Sequence, residues 1–418
     1  MSATSNASSA IYALLCAIIL SSFLSPNAAC AKNPRTLHSF TGYPNDGDSP
    51  NGPLVRDGAG NLFGTTYKGG NDCNPWGCGT IFKIESDGAE TVLHSFAGGS
   101  DGAYPFAGLI ADKSGNLYGT TSGGGGTGCS GFGCGTVFKL SADGTETVLY
   151  AFKGGSDGED PQLSLTLDEA GNLYGATLEG GGGTGCLGSF GCGIVFKLTA
   201  DGQETILHAF TGGSDGAYPA GELVLDANGN AYGSASEGGS NQCNGGGCGI
   251  LFRIALDGAE TILYTFCDCE GSALPGGTLV LDGAGNLYGT AGGGGNGYGT
   301  VFKFTPDSIE TALYTFQGPP NDGAFPDGLI GDAQGNFYGA TELGGEICAK
   351  RSRYGCGTLF ELTAGGTEIV LYDFTRRDFW PGPEVVEDKK GNLYGVTSGG
   401  GDHCPDGFRC GTVFKFKR

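Results

Sequence analysis

The sequence predicts an all-β fold: a seven-bladed β-propeller of four-stranded antiparallel blades, closed by its own N-terminal strand. Three observations predict it. One pentapeptide recurs seven times, each repeat contains four short strand-like segments, and the fourth segment missing from the last repeat stands near the N-terminus. A four-stranded blade buries both of its faces only when neighbouring blades cover them, so a radial ring is favoured.

The pentapeptide is Gly-Asn-Leu-Tyr-Gly or a near variant, and it sets the period of the repeat. It begins at Gly60, Gly115, Gly171, Gly229, Gly285, Gly335 and Gly391, at spacings of 50 to 58 residues. An aspartate precedes its first glycine by three positions every time. Asp and Gly at these offsets favour a tight turn between two strands.

The four strands of a repeat are clearest in the second one. They are predicted over residues 108–112, 116–121, 135–140 and 146–152, where β-branched and aromatic residues dominate. The dipeptide Asp143-Gly144 separates the last two strands, and Asp-Gly in this position is a strong hairpin signal. No segment after residue 31 shows convincing helical periodicity, which is consistent with an all-β chain.

The two ends of the chain predict how the ring closes. The last repeat stops after its third strand, residues 411–416, and has no fourth strand. The segment Thr36-Leu37-His38-Ser39-Phe40 matches residues 92–96, which form the fourth strand of the first repeat. We therefore expect this N-terminal segment to pair with the third strand of the last blade, which would remove an open sheet edge.

Composition and charge narrow the class of protein. The chain of 418 residues contains 85 glycines, but 25 Phe and 17 Tyr remain to build a core, so disorder is not expected. Acidic residues outnumber basic ones by 44 to 22, and the formal charge of -22 repels nucleic-acid phosphates. No nucleic-acid partner is expected, and the protein is expected to be a monomer.

Residues 1–31 resemble a signal peptide. They hold no charged residue, and the apolar stretch from Ile11 to Leu24 is short for a membrane span. Ala29-Cys30-Ala31 supplies a small-residue cleavage site, which leaves residues 32–418 as a single propeller domain without a membrane span. A secreted protein, extracellular or periplasmic, is expected. A lipid anchor on Cys30 is the alternative.

The repeat units also resemble a known family. Gly-Asn-Leu-Tyr-Gly-Thr-Thr at residues 115–121, Gly-Thr-Val-Phe-Lys-Leu at 135–140 and Glu-Thr-Val-Leu-His-Ser-Phe at 90–96 look like the Gloeo-Verruco (GloVer) tandem repeat of secreted bacterial proteins. The resemblance covers residues 36 to 418. It implies a propeller-like fold and export from the cell, and it implies no particular activity.

Fourteen cysteines remain once Cys16 and Cys30 are removed with the signal peptide. Twelve form close pairs in the loop before the third strand of six repeats: Cys73/Cys78, Cys129/Cys134, Cys186/Cys192, Cys243/Cys248, Cys348/Cys356 and Cys404/Cys410. We expect six disulfides that clamp these glycine-rich loops. Zinc is the alternative, but each pair belongs to a different blade. Cys267 and Cys269 form a seventh pair or stay as free thiols.

Five of the loops that connect one blade to the next carry the motif Asp-Gly-x-x-Pro, the loops before Pro275 and Pro381 break it, and all of them are expected to ring the mouth of the central channel. The aspartates of the motif are Asp46, Asp101, Asp157, Asp215 and Asp322, and an aromatic residue precedes the proline at Tyr104, Tyr218, Phe325 and Trp380. The aromatic rings could stack on sugars while the aspartates accept hydroxyl hydrogen bonds or hold Ca²⁺. A purely structural role in turns and packing is the alternative.

The sequence therefore predicts a secreted, non-catalytic module that binds carbohydrate or a cell-surface partner on the face of the disulfide-clamped loops. No nucleophile elbow, histidine-rich metal motif or phosphate loop is present. No cofactor other than Ca²⁺ is expected, and the repeated His38, His94 and His208 are interpreted as structural. A glycan-processing hydrolase or lyase is the alternative, with Glu179, Glu237, Glu342 and Glu346 as the acids to examine first.

Overall fold

The computed structural model describes residues 33–73, 75–186, 190–239, 247–266, 272–294, 296–346, 354–401, 404 and 410–418. The predicted signal peptide lies outside these residues. Within them the chain is built from β-strands, with four single turns of 3-10 helix at Gly99–Asp101, Cys129–Gly131, Gly155–Asp157 and Gly213–Asp215. No helix in the described part is long and apolar enough to cross a membrane.

The strands follow one another in seven groups. They are β1 (Arg35–Ser39), β2 (Gly47–Pro50), β3 (Val55–Arg56), β4 (Leu62–Gly69), β5 (Thr80–Ile84), β6 (Glu90–Ser95), β7 (Ile110–Ala111), β8 (Leu117–Thr121), β9 (Thr136–Leu140), β10 (Glu146–Ala151), β11 (Thr166–Leu167), β12 (Leu173–Thr177), β13 (Ile194–Leu198), β14 (Glu204–Ala209), β15 (Ala217–Leu225), β16 (Ala231–Glu237), β17 (Ile250–Ile254), β18 (Glu260–Thr265), β19 (Ser272–Leu281), β20 (Leu287–Gly294), β21 (Thr300–Phe304), β22 (Glu310–Thr315), β23 (Gly323–Pro326), β24 (Ile330–Gly331), β25 (Phe337–Gly344), β26 (Thr358–Leu362), β27 (Glu368–Asp373), β28 (Asp378–Pro381), β29 (Val386–Glu387), β30 (Leu393–Gly400) and β31 (Thr412–Phe416).

These strands form seven antiparallel sheets, which are the blades of a propeller. Blade 1 contains β2 to β6, blade 2 β7 to β10, blade 3 β11 to β14, blade 4 β15 to β18, blade 5 β19 to β22, blade 6 β23 to β27, and blade 7 β28 to β31 with β1. In each blade the chain runs from an inner strand through a second and a third strand to an outer strand. Inner strands of neighbouring blades contact each other, as β15 and β19 do. The predicted fold class is confirmed.

The N-terminal strand closes the ring as predicted. Strand β1 pairs antiparallel with β31, so that Arg35 lies opposite Lys415 and Ser39 opposite Thr412. The amide of Phe40 also donates a hydrogen bond to the carbonyl of Gly411, with N and O 3.1 Å apart. The last blade is therefore built from both ends of the described chain.

The core consists of buried layers between successive blades. In each layer a phenylalanine at the end of one outer strand packs edge-on against a phenylalanine in the third strand of the next blade. Phe96 and Phe138 have ring centroids 5.2 Å apart, and the seven equivalent pairs span 5.0 to 5.4 Å. This packing explains the last glycine of the pentapeptide, because a Cβ on Gly119 would lie 2.6 Å from the ring of Phe138.

The aspartate before each pentapeptide makes the predicted turn. Asp57 accepts hydrogen bonds from the backbone amide of Asn61 at 2.8 Å and from its side-chain amide at 2.7 Å. The same two bonds recur in the other six blades. The regular part of the repeat is thus fixed by short-range hydrogen bonds, and variation is left to the loops.

Candidate functional site

The loops before the third strands are held by disulfides. The bonds Cys73–Cys78, Cys129–Cys134, Cys186–Cys192 and Cys404–Cys410 are formed, with Cα atoms 5.2 to 5.6 Å apart. Cys248 and Cys356 are also disulfide-bonded. Their predicted partners Cys243 and Cys348, like Cys267 and Cys269, lie outside the described residues. An oxidised pair offers no thiolate to a metal, so zinc is not held by the described pairs.

A backbone hydrogen bond ties each clamped loop to the next blade. The residue before each connector proline has a left-handed backbone, with φ between 54° and 61° in all seven blades: Ser49, Tyr104, Asp160, Tyr218, Leu274, Phe325 and Trp380. Its amide donates to the carbonyl of the preceding blade's loop at 2.7 to 3.2 Å, at a cysteine in six blades and at Tyr298 in the seventh. Non-glycine residues rarely adopt this conformation, so the contact must hold it in place.

The connector proline packs against the glycine that precedes the third strand of the preceding blade. Pro161 lies on Gly135, for example, and a Cβ added to Gly135 would stand 2.4 Å from the proline Cδ. The same glycine–proline contact occurs at all seven junctions. The connectors and the clamped loops are therefore locked together on one face of the ring.

The four predicted aromatic residues share the left-handed position on this face. Trp380 is 49% exposed and Phe325 is 37% exposed, whereas Tyr104 and Tyr218 are half-buried. Two further aromatics join them: Tyr67 has its ring centroid 5.4 Å from Tyr104 and 5.9 Å from the partly exposed Phe106. Sequence reasoning missed these two because neither belongs to the connector motif before the proline.

A cavity of about 370 Å³ opens among residues contributed by blades 6, 7, 1 and 2. We call it the mouth cavity. It is lined by Asn51, Phe106, Asp327, Ala340, Glu342, Trp380, Pro381, Gly382, Pro383 and Ser398. One predicted aromatic residue, Trp380, and one predicted acid, Glu342, are therefore brought together. The cavity combines two aromatic faces with two carboxylates.

Three acids interact electrostatically across the ring: Glu222 in β15, Asp327 between β23 and β24, and Glu384 between β28 and β29. The side chain of Asp327 is exposed to water in the mouth cavity. Desolvation by the surrounding protein, together with the charge of Glu342, raises its pKa to about 6. Burial raises the pKa values of Glu222 and Glu384, with further contributions from the charge of Glu384 on Glu222 and of Asp327 on Glu384. Thr166 donates to Glu222 at 3.4 Å, and Thr278 donates to Glu384. These acids were missed because none of them is a regular part of the repeat.

The connector aspartates do not line the mouth cavity. Asp101 accepts the backbone amide of Ala97 at 2.7 Å and lies 3.3 Å from His94 Nε2, on the outer strand. In the next blade the hydroxyl of Tyr150 takes the place of the histidine and donates a hydrogen bond to Asp157 at 2.6 Å. Asp46, Asp215 and Asp322 bind their own connectors in this way. The structural alternative thus accounts for these hydrogen bonds.

The outer strands bring a glutamate to each of these aspartates. A β-bulge in the outer strand directly precedes its histidine or tyrosine, as between Val92 and His94. At the start of the next outer strand stand Glu90, Glu146, Glu204, Glu260 and Glu368, whose Oε1 atoms are buried without a hydrogen-bond partner. Burial, followed by the charge of a connector aspartate, raises the pKa of Glu90, Glu146, Glu204 and Glu368 to about 7. Burial, followed by a hydrogen bond to Asp215 and its charge, raises the pKa of Glu260 to about 8.

The remaining predicted acids lie elsewhere. Glu179 pairs through its backbone with Glu159, and its charge contributes to raising the pKa of Glu159 after burial. Glu237 ends β16, where burial raises its pKa. Glu346 contacts Asp373 through its backbone. Of the four acids proposed for catalysis, only Glu342 lines the mouth cavity.

Glu204→Gln is expected to make the protein more stable at pH 8 and to weaken the pH dependence of its stability. The native state binds the Glu204 proton more tightly than the unfolded chain, so stability falls as pH rises from about 4.5 to about 7. Solvent screening reduces the full effect of about 3 kcal/mol to about 1 kcal/mol. Urea unfolding at pH 5 and pH 8 measures this difference. The exposed control Glu169→Gln should change neither value, and an equal gain at both pH values would contradict the prediction.

Comparison with protein families finds one match along the chain. The family model described as the Gloeobacter/Verrucomicrobia repeat matches residues 27–187 and 244–418, which is more than half of the sequence. No curated protein matches the chain.

Solved structures resemble the chain in fold alone. The extracellular domain of a hybrid two-component system from B. thetaiotaomicron has a TM-score of 0.54 at 11% identity, over 91% of this chain and 39% of that one. A candidate gluconolactonase has a TM-score of 0.39 at 16% identity, over 75% of this chain and 89% of that one. A luciferin-regenerating enzyme has a TM-score of 0.44 at 14% identity, with 74% and 90% covered.

Proposed function

Because the chain belongs to the Gloeobacter/Verrucomicrobia repeat family and folds as a closed propeller, we propose that it is a secreted, non-catalytic binding protein for neutral carbohydrate. The ligand would enter the mouth cavity. The observation that carries this proposal is the placement of two aromatic faces, Trp380 and Phe106, beside the carboxylates of Asp327 and Glu342 in one cavity.

The chemistry of the mouth cavity suits a sugar. Trp380 and Phe106 offer partly exposed apolar faces on which the C–H side of a pyranose ring can stack. Asp327 and Glu342 accept hydrogen bonds from hydroxyl groups, and Asn51 adds an amide donor. The volume lies at the small end of the range for ligand pockets. Carboxylates repel anionic ligands, which is why a neutral glycan is favoured.

Disulfides support the proposed location. Four are described in full, and structural disulfides persist in oxidising compartments such as the bacterial periplasm and the cell exterior. A secreted protein fits these conditions.

Trp380→Ala is expected to weaken binding of the glycan at least tenfold, because it removes the largest stacking face of the mouth cavity. The ligand is first found by screening a panel of neutral oligosaccharides and polysaccharides, and affinities are then measured by isothermal titration calorimetry. The control is Trp76→Ala, since Trp76 is similarly exposed at 53% but does not line the cavity. Equal affinities of the two variants would overturn this placement.

A glycan-processing enzyme is the second candidate, because Asp327 has a raised pKa beside Glu342 within the same cavity. Asp327 could then donate a proton to a glycosidic oxygen. The panel of glycans therefore also needs an assay for new reducing ends. Their appearance, and their loss in Asp327→Asn, would favour an enzyme over a binding protein.

A further inference from the structure

Three junctions between outer strands carry a histidine where others carry a tyrosine. Each histidine faces a connector aspartate and the first glutamate of the next outer strand, and one ligand atom from each residue lies within 4.8 Å of the other two. The three histidine junctions are His38–Asp46–Glu90, His94–Asp101–Glu146 and His208–Asp215–Glu260. They lie at the outer strands and are independent of the mouth cavity.

The distances in the histidine junctions are those of ligands around a metal ion. His208 Nε2 is 3.3 Å from Asp215 Oδ1 and 3.7 Å from Glu260 Oε1. His38 Nε2 is 3.6 Å from Asp46 Oδ2. Good N–H···O hydrogen bonds span about 2.7–3.2 Å. Ligands about 2.0–2.1 Å from a tetrahedral zinc ion stand about 3.3 Å from one another. The observed spacing leaves room for an ion between the three groups.

In two of the histidine junctions the imidazole nitrogen and a glutamate oxygen that would bind the ion have no other partner. His208 Nε2 and Glu260 Oε1 are inaccessible to water and lack a hydrogen bond, as are His38 Nε2 and Glu90 Oε1. Glu146 Oε1 is in the same state. Buried polar side-chain atoms almost always have a partner. Glu204 and Glu368 at tyrosine junctions also have an unsatisfied Oε1, so the distinguishing atoms are the unsatisfied imidazole nitrogens of His38 and His208.

The charge of the carboxylates and the hydrogen bonds that hold Asp215 also favour a divalent cation. Two carboxylates carry the charge that a doubly charged ion neutralises, and an imidazole adds a nitrogen ligand. Asp215 is held for this task by two hydrogen bonds to Oδ2, from the amide and the hydroxyl of Thr211 at 2.6 and 2.9 Å. Its Oδ1 is left to face the histidine. Outer hydrogen bonds of this kind orient metal ligands.

The tyrosine junctions show what the same position does without an ion. Tyr150 donates its hydroxyl hydrogen to Asp157 at 2.6 Å, and Tyr314 donates to Asp322 at 2.8 Å. The phenol thereby reaches the aspartate directly and satisfies it. The imidazole ring is shorter and stops 3.3 to 3.6 Å from the carboxylate. The exchange of tyrosine for histidine thus replaces a short hydrogen bond by a wider spacing, which at His94 is a long hydrogen bond of 3.3 Å to Asp101.

We propose that each histidine junction binds a divalent transition-metal ion such as Zn²⁺, through one imidazole nitrogen and two carboxylates, with the fourth position left to water. A nitrogen ligand and three protein groups suit zinc, whereas calcium takes six to eight oxygen ligands. Each ion would link the outer strands of two neighbouring blades and so stabilise the ring from its periphery.

The test is the zinc content of the chain, produced without a histidine tag, stripped with EDTA and dialysed against Zn²⁺. Three zinc ions per chain are expected by elemental analysis. His208→Tyr should leave two, and the variant His38→Tyr/His94→Tyr/His208→Tyr should leave none. These variants should fold, because tyrosine already stands at this position in Tyr150, Tyr264, Tyr314 and Tyr372. Circular dichroism verifies folding.

A gain of function completes the test. Tyr150→His should raise the zinc content by one ion per chain, because Asp157 and Glu204 already lie beside this position. Co²⁺ should give the visible absorption of a four-coordinate site, lost in the triple variant. A hundredfold excess of Ca²⁺ should leave the zinc bound. Equal zinc content in the wild type and the triple variant, no binding at all, or displacement by calcium would overturn the proposal.

Discussion

A chain that begins at residue 42 is expected to lose cooperative folding, whereas a chain that begins at residue 33 should fold normally. The nine residues between them contain β1, which supplies the outer strand of blade 7, and Phe40, which is fully buried against Phe82 at a centroid distance of 5.0 Å. Their removal exposes the edge of β31 and opens the core layer between blades 7 and 1.

The deletion tests closure most sharply when both chains are produced under oxidising conditions and unfolded side by side. Thermal unfolding followed by tryptophan fluorescence and circular dichroism should give one transition for residues 33–418 and a broad, early loss of structure for residues 42–418. A synthetic peptide of residues 33–42 should restore the transition by occupying the vacant edge. Phe40→Ala, a milder change, should cost about 3–5 kcal/mol. Similar melting of the two chains would refute closure by β1.

Gly135→Ala is expected to destabilise the protein by about 4 kcal/mol. About 1–2 kcal/mol comes from the left-handed backbone of this residue, with φ of 97°, and the rest from the collision of the new Cβ with Pro161 and the carbonyl of Thr121, both 2.4 Å away. The proline ring and the backbone carbonyl are both held in the packing of blades 2 and 3. A small movement of either group therefore cannot relieve the overlap.

The matched control is Gly144→Ala, nine residues further along the same hairpin. Gly144 has nearly the same φ, 89°, but a Cβ there would meet no atom within 4 Å. It should therefore show only the backbone cost, about 1–2 kcal/mol. Urea unfolding of both variants gives the comparison, and the double variant Gly135→Ala/Pro161→Ala should recover part of the loss. Equal destabilisation by the two alanines would show that the glycine–proline contact is unimportant.

Most of the fold could be predicted from the sequence because its determinants are local and repeated. The turn at Asp57 and Asn61 and the hairpin at Asp143-Gly144 fix strand order within a blade, and the repeat count fixes the number of blades. Even the pairing of β1 with β31 followed from the strand missing in the last repeat. Sequence alone could also place Trp380 in a connector of the clamped face.

The site was only partly predictable, because its residues come together through the closure of the ring. Asp327 and Phe106 belong to blades 6 and 2, and nothing in their local sequence links them. Asp101 and Tyr104 share one connector, and so a common surface was expected. The aspartate instead satisfies the amide of Ala97 in its own turn, since local side-chain hydrogen bonds outcompete a more distant use. The proximity of Glu90 to Asp46 was not predicted either, because the two residues meet only when neighbouring blades come together.

The left-handed residue before each connector proline has a consequence for how such proteins diversify. Its backbone amide makes the contact to the preceding blade, and the side chain is not needed for it, as Ser49, Asp160 and Leu274 occupy the same position as Trp380. Mutation can therefore change one side chain on this face at a time while the ring stays intact. The fold separates the residues that evolution must keep from seven positions at which new specificities can be tried.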